Sequence, residues 1–329
     1  MESATNWTEV YDGGSPEAEE AIFLGLAQKM LAIQERNRVR AHLAHPYRTL
    51  HARQLVGIKN AELIIDANLP SHFAVGHFTA GARLPVIARF SSASALPQPD
   101  SLPDMRGAAL KIGVNGDAVH DLLMTSFPVS HARNARQFVE FAVIASGDRT
   151  TLVERVADAF GEAEAKRMLG NIQCGARQCV SLALERFWSR GAILWGNFPV
   201  RFDLRPTVAV ASEEAADNLH AEFAARLGSA DVCFRLALQP YVDEERTPIE
   251  DGSIEWRETD SPSIEIATLV IPRQDLLDEV ALQRAKEVDA LAFNPWNAPS
   301  IFRPLGHLNR ARKVVYGSSA ERWQQRTGG

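Results

Sequence analysis

"ELIIDANLPSHFAVGHFTAGARLPVIARFSS", residues 62–92, decides the fold class. Short runs of β-branched and aromatic residues are broken by Gly, Pro and Asn, the punctuation of strands and turns. "ELIIDANL" (62–69), "SHFAVGHF" (71–78) and "PVIARFSS" (85–92) each read as a strand. "GAALKIGV" (107–114) and "HDLLMTSFPV" (120–129) continue the series, predicting an antiparallel sheet or barrel. Upstream, residues 16–40 predict a helix: Ser15 caps it, Pro16 suits its first turn, and Ile22, Leu26, Met30 and Ile33 keep helical spacing. Glutamates lead that helix and arginines trail it, as its dipole prefers. Residues 131–192 read as helical again. "DVCFRLALQPYV" (231–242) and "SIEIATLVIPRQ" (263–274) supply two more strands, and 275–293 a helix or extended turn. "FNPWNAPSIFRPLG" (293–306) carries too much Pro for regular structure, and 307–325 forms a helix with Gly317 as a weak point. The expected fold class is α+β: one domain over 1–329, an antiparallel β-barrel core surrounded by helices.

Composition narrows the function classes. The chain has 329 residues, 46% hydrophobic and 23% charged, the profile of a globular protein. Its net charge of -6 gives no general attraction to nucleic acid or an anionic membrane. Neither partner is expected. Cys174, Cys179 and Cys233 are too few for a disulfide framework, lack the second pair of a zinc site, and read as ordinary small buried side chains. The N-terminal "MESATNWTEVYDGGSPEAEE" has no basic or apolar leader segment, and no apolar run reaches membrane-spanning length. The expected compartment is cytoplasmic.

"RPLGHLNRARKVVYGSSAERW", residues 303–323, places Arg312 four residues before Tyr316, on one face if the stretch is helical. A phenol titrates at about 10, and a guanidinium held against its oxygen favours the phenolate. A phenolate is a strong ligand for ferric iron. The spacing alone favours a surface helix whose arginines face water, since such helical pairs are common.

Several motifs, in one order, resemble the haem catalase family, in particular its short, divergent bacterial branch of mini-catalases and catalase-related peroxidases. "FNPWN" followed by "RARKVVY" resembles the proximal segment, which implies Tyr316 as axial iron ligand and Arg312 as its charge partner. "RTLHARQLVG" (48–57) resembles the distal segment, implying His51 as acid/base over the iron and Arg48 on a propionate. Leu50, just before His51, is apolar as in catalases, so the allene oxide synthase pattern gains no support there. "ARFSSASA" (88–95) implies Arg89 as a second propionate anchor and Ser91 beside the distal histidine. "PDMRGAALKIG" (103–113) resembles the family's Asp-x-Arg-Gly strand, with Asp104 and Arg106 paired structurally. In "DLLMTSFPVSHARNARQF" (121–138), Phe138 falls where the family stacks an aromatic ring near the haem. Three residues before Pro128 the family has an asparagine that hydrogen-bonds peroxide; here that position is Thr125. A hydroxyl has one donor where an amide has two, so efficient dismutation is weakened. Arg322 stands one residue off the position of a further propionate contact.

The resemblance runs over about 45–140 and 230–323. It implies a division into an N-terminal helical arm (1–44), a distal haem side with barrel strands (45–140), a helical insertion (141–230), and remaining strands with the proximal helix (231–329). The implied cofactor is haem b and its iron. The implied activity is a peroxidase reducing hydrogen peroxide or organic hydroperoxides at the expense of an organic reductant, with weak catalase activity. Two alternatives stay open: a fatty-acid hydroperoxide lyase or isomerase on the same fold, and a non-enzymatic haem-binding protein. The family further implies a homo-oligomer, a dimer or tetramer. The chain is shorter than full catalases, which implies a more open pocket that admits larger peroxides.

Overall fold

The computed structural model describes residues 7–42, 48–94, 96, 98–114, 116, 118–148, 150–207 and 218–327, with side chains to residue 321. The β-rich runs form strands β1 (Gln54–Ile65), β2 (Arg83–Ser92), β3 (Arg106–Gly113), β4 (Val119–Thr125), β5 (Phe187–Trp188), β6 (Ile193–Trp195), β7 (Phe198–Pro206), β8 (Val232–Pro240) and β9 (Ile264–Ile271). Their order is β5-β4-β3-β2-β1-β9-β8-β7-β6, and β5 pairs with β7 as well. That pairing, Phe187 with Leu204 and Trp188 with Asp203, closes eight antiparallel strands into a barrel. β6 remains outside the ring as the hairpin partner of β7. Closure removes the open strand edges along which sheets aggregate.

The barrel is filled by one apolar cluster. Phe90 of β2 is fully buried, with the rings of Phe187, Phe223 and Phe234 at 5.8, 5.5 and 6.0 Å. Seven helices surround it: α1 (Pro16–Arg40), α2 (Ala135–Ala145), α3 (Leu152–Phe160), α4 (Glu162–Gly175), α5 (Leu219–Ser229), α6 (Glu279–Ala290) and α7 (His307–Thr327). The Ser15 hydroxyl caps α1 by accepting from the Ala18 amide at 3.2 Å. Phe23, Leu26, Met30 and Ile33 of α1 then bury against Val139 of α2 and Ala311 of α7. α7 runs through Gly317 without a break.

Three expectations need correction. The 71–78 stretch is no strand: it makes one 3-10 turn, Ser71–Phe73, and tight turns through Gly76 at φ 55°. Its apolar residues plug one end of the barrel, with Phe78 against Trp195 (4.5 Å) and Phe302 (5.5 Å). Second, helix over 131–192 ends at Gly175, and the supposed helical insertion 141–230 contributes β5, β6 and β7. β7 buries six consecutive residues from Pro199 to Leu204, charged Arg201 and Asp203 among them, so it shows no alternation to read. Third, the cysteines are all free, but only Cys179 is buried; Cys174 is exposed. Among the described residues, no helix is long and apolar enough to cross a membrane.

Candidate active site

One cross-strand row organises the site. Ser91 of β2 pairs with Gly107 of β3, Gly107 with Thr125 of β4, and Thr125 with Trp188 of β5. Residues directly opposed in an antiparallel ladder share a face. That face is the barrel's outer one, since the neighbours Phe90, Ala108 and Met124 belong to the interior cluster. Two of the residues singled out from sequence, Ser91 and Thr125, thus flank a glycine on one wall. One step along the strands, Arg89 pairs with Gly57 of β1 and Ala109 of β3, so this wall carries few bulky side chains.

His51 lies over the glycine. A Cβ on Gly107 would sit 2.4 Å from His51 Nδ1 and 2.8 Å from Ser91 Oγ, so only glycine allows the imidazole this close. His51 Nδ1 and Ser91 Oγ are 3.2 Å apart. The His51 backbone is left-handed, φ 52°, a conformation that costs a non-glycine residue about 1 kcal/mol or more. It is held there from both sides. The His51 amide donates to Ala93 O at 3.1 Å. Arg89 donates to the carbonyls of His51 (3.1 Å) and Ala52 (3.3 Å). Burial, reinforced by the charges of Arg190, Arg89, Arg312 and Arg48, pushes the imidazole pKa down to about 3. The ring is therefore neutral at physiological pH and able to accept a proton.

The two expected propionate anchors meet at a carboxylate of the chain itself. Arg48 Nη1 and Arg89 Nη2 both donate to Asp289 Oδ1, at 2.9 and 3.0 Å, and Arg89 Nε reaches the same oxygen at 3.2 Å. Arg48 Nη2 also donates to the Asp289 and Leu291 carbonyls, each at 2.7 Å, capping the C-terminal end of α6. The pair is thus chemically suited to a carboxylate and geometrically converged on one.

On α7, Arg312 Nη2 donates to the Tyr316 hydroxyl at 3.2 Å, and its guanidinium stands 5.2 Å from the ring centroid. Arg312 Nη1 is fixed by Asn309 Oδ1 at 3.1 Å. A small cavity between α7 and the barrel is lined by Arg312, Asn309, Ser189, Gly191 and Leu123. Arg312 therefore faces the wall that carries the row, and its charge depresses His51. Phe138 of α2 packs against the apolar cluster shared by α1, α2 and α7 and meets the His131 ring in a tilted contact at 4.9 Å. It makes no contact with His51 or Arg89 among the described interactions. The Thr125 hydroxyl is turned onto Phe127 O at 3.3 Å. Leu50 is exposed at 38%. Asp104 and Arg106 form an ion pair at 3.9 Å; Arg106 also donates to Ser92 Oγ and Asp100 O, and Asp104 accepts from the Ser94 amide. The Arg322 side chain lies outside the described residues.

Four further residues belong to the site. Gly107 stood in a quoted motif, but its need for no side chain emerges only from the fold. Asp289 lies in the 275–293 stretch, where no motif marks it. Arg190 follows β5 at φ 59° and donates to Phe127 O (3.1 Å) and Met105 Sδ (2.7 Å); burial and the Arg312 charge lower its pKa to about 10. His131 is buried at Nε2 without a hydrogen-bond partner, and burial lowers its pKa to about 3. A non-glycine left-handed residue is not readable from sequence.

The fold defined by this barrel and its helices is the catalase fold. A bacterial catalase superposes with a TM-score of 0.64 at 16% identity over 90% of this chain, and a fungal catalase with 0.61 at 15% over all of it. The chain spans 60% and 66% of the length of those two proteins. No protein-family model matches the sequence, and a search of curated proteins gives no match.

Proposed function

We propose that this protein is a haem-dependent peroxidase that reduces hydrogen peroxide or organic hydroperoxides, with weak catalase activity. The residues fit a haem b. Gly107 lets His51 lie close on the outer wall, Arg48 and Arg89 already clasp a carboxylate, and a phenol oxygen lies on a guanidinium. Tyr316 would hold the iron with Arg312 as its counter-charge, Arg48 and Arg89 would take propionate, and Phe138 would pack beside the ring. When bound, the haem supplies an iron that accepts oxidising equivalents from a peroxide and passes them to an organic reductant.

The chain's own residues handle the proton. Ser91 engages the Nδ1 edge of His51, so exchange with a substrate falls to Nε2. The neutral imidazole accepts a proton from one peroxide oxygen and returns it to the other, which favours heterolysis of the O–O bond. Thr125, with one hydroxyl already directed at Phe127 O, orients a peroxide less well than an amide would, which supports a peroxidase rather than a fast dismutase.

One observation carries the reading. The histidine held neutral above Gly107 lies in the field of the same arginine that touches the Tyr316 oxygen. The test is an absorbance titration of the protein with hemin, followed by turnover of hydrogen peroxide and cumene hydroperoxide with a reducing dye. A ferric tyrosinate-type spectrum lost in Tyr316→Phe is expected, with dye oxidation roughly 100-fold slower in His51→Ala. Product made from a lipid hydroperoxide without any reductant would favour an isomerase. Absence of any hemin complex would overturn the proposal.

A further inference from the structure

We infer that α6 is a latch: its carboxylate, Asp289, occupies the Arg48–Arg89 pair until an anionic group of an incoming cofactor displaces it. The inference rests on the haem reading above and adds how that site is loaded. A guanidinium as buried as Arg89, 4% exposed, needs an anionic partner. Asp289 provides one through a single oxygen shared by both arginines, while its own side chain remains 40% exposed. A propionate presents the same carboxylate chemistry, so one anion can replace the other without leaving the buried guanidinium uncompensated.

The helix that carries Asp289 is built to let go. Of its twelve residues only Val288 is buried, while Val280 and Leu282 are exposed at 59% and 45%. It is fastened mainly by polar contacts: to β1 through Lys59 with Glu287 at 2.6 Å and Gln54 Nε2 with Ala285 O at 2.8 Å, and to the chain before β1 through the Arg48 clamp at its C-terminal end. Few buried apolar contacts mean a low free energy of local opening. Arg89 also secures the left-handed backbone of His51 through its other donors, so the exchange of anions can proceed without releasing the distal histidine.

The experiment titrates the full chain and its Asp289→Asn variant with hemin, and follows amide hydrogen exchange of residues 279–290 with and without hemin. A latch closed nine-tenths of the time lowers apparent affinity about tenfold, so Asp289→Asn is expected to bind hemin about tenfold more tightly. Exchange in α6 of the unsubstituted protein is expected to quicken on loading. Equal or weaker binding by a variant whose circular dichroism is unchanged overturns the latch, as does protection of α6 on loading. The exchange arm decides the matter if the variant does not fold. Failure of both proteins to bind hemin overturns the haem reading itself, an outcome distinct from equal binding by both.

Discussion

Gly107 and His51 define the site at the scale of single residues. A methyl group at 107 would lie within 2.8 Å of both His51 and Ser91, and the other face of the strand belongs to the packed barrel, so the imidazole has to move. Gly107→Ala is expected to cost about 1–3 kcal/mol, read as a lower urea midpoint, and to depress peroxide turnover along with it. Unaltered stability and turnover would mean that the imidazole does not rest on this wall. Thr125 carries the opposite expectation. Thr125→Asn adds a second donor to the row, and one hydrogen bond worth about 1.4 kcal/mol corresponds to roughly a tenfold gain in hydrogen peroxide dismutation. Oxygen evolution by the haem-loaded variant measures it; an unchanged ratio of dismutation to dye oxidation would remove Thr125 from the substrate's path.

Elements matter through the way charge holds them together. Arg310, one turn into α7 and almost buried, bonds Glu19 of α1 at 2.6 and 2.9 Å, Glu250 at 2.9 Å, Glu9 at 3.2 Å and the Val10 carbonyl at 2.8 Å. This cluster locks α1 and the preceding chain onto the helix that carries Arg312 and Tyr316. Removing the cation takes from the buried Glu19 carboxylate both of its guanidinium hydrogen bonds. Arg310→Leu is therefore expected to lose about 3–5 kcal/mol, with thermal melting as the measurement. α6 differs in kind: it is attached by exposed ion pairs and one clamp, and such pairs contribute little to stability. Two helices of one molecule thus meet the same site with different permanence, α7 as scaffold and α6 as a removable cover.

At the scale of the whole molecule, burial of neutral histidines sets the response to acid. His51 and His120 are pushed down to about 3, and His77 to about 4, in each case by burial first. A histidine whose folded pKa lies below its unfolded value binds more protons when unfolded. Its stabilisation is complete above the unfolded value of about 6.5 and is lost as pH falls toward the folded pKa, by about 1.4 kcal/mol per pH unit for each group. Asp104, Asp121 and Glu185 are raised by burial and pull the other way. Urea midpoints are therefore expected to fall between pH 6.5 and 5, where unfolding lets these three histidines take up protons. A midpoint flat across that window would show that these histidines are not buried in neutral form.

The sequence by itself determined the strand-rich centre, the capped first helix and the Arg312–Tyr316 pair, because each is local: a period of two, a hydroxyl before a helix, a spacing of one helical turn. It also marked His51, Ser91, Arg89 and Thr125 through ordered motifs. It misread 71–78 and passed over β7, because a plug of aromatics mimics a strand and a strand buried on both faces shows no alternation. Only the tertiary structure decided that Ser91, Gly107 and Thr125 form one row, that Gly107 must lack a side chain, and that Asp289 fills the grasp of two arginines. Each of these depends on which strand or helix lies beside which. Neighbours 18 or 200 residues apart are set by barrel closure and helix packing, and no pattern within a short window encodes them.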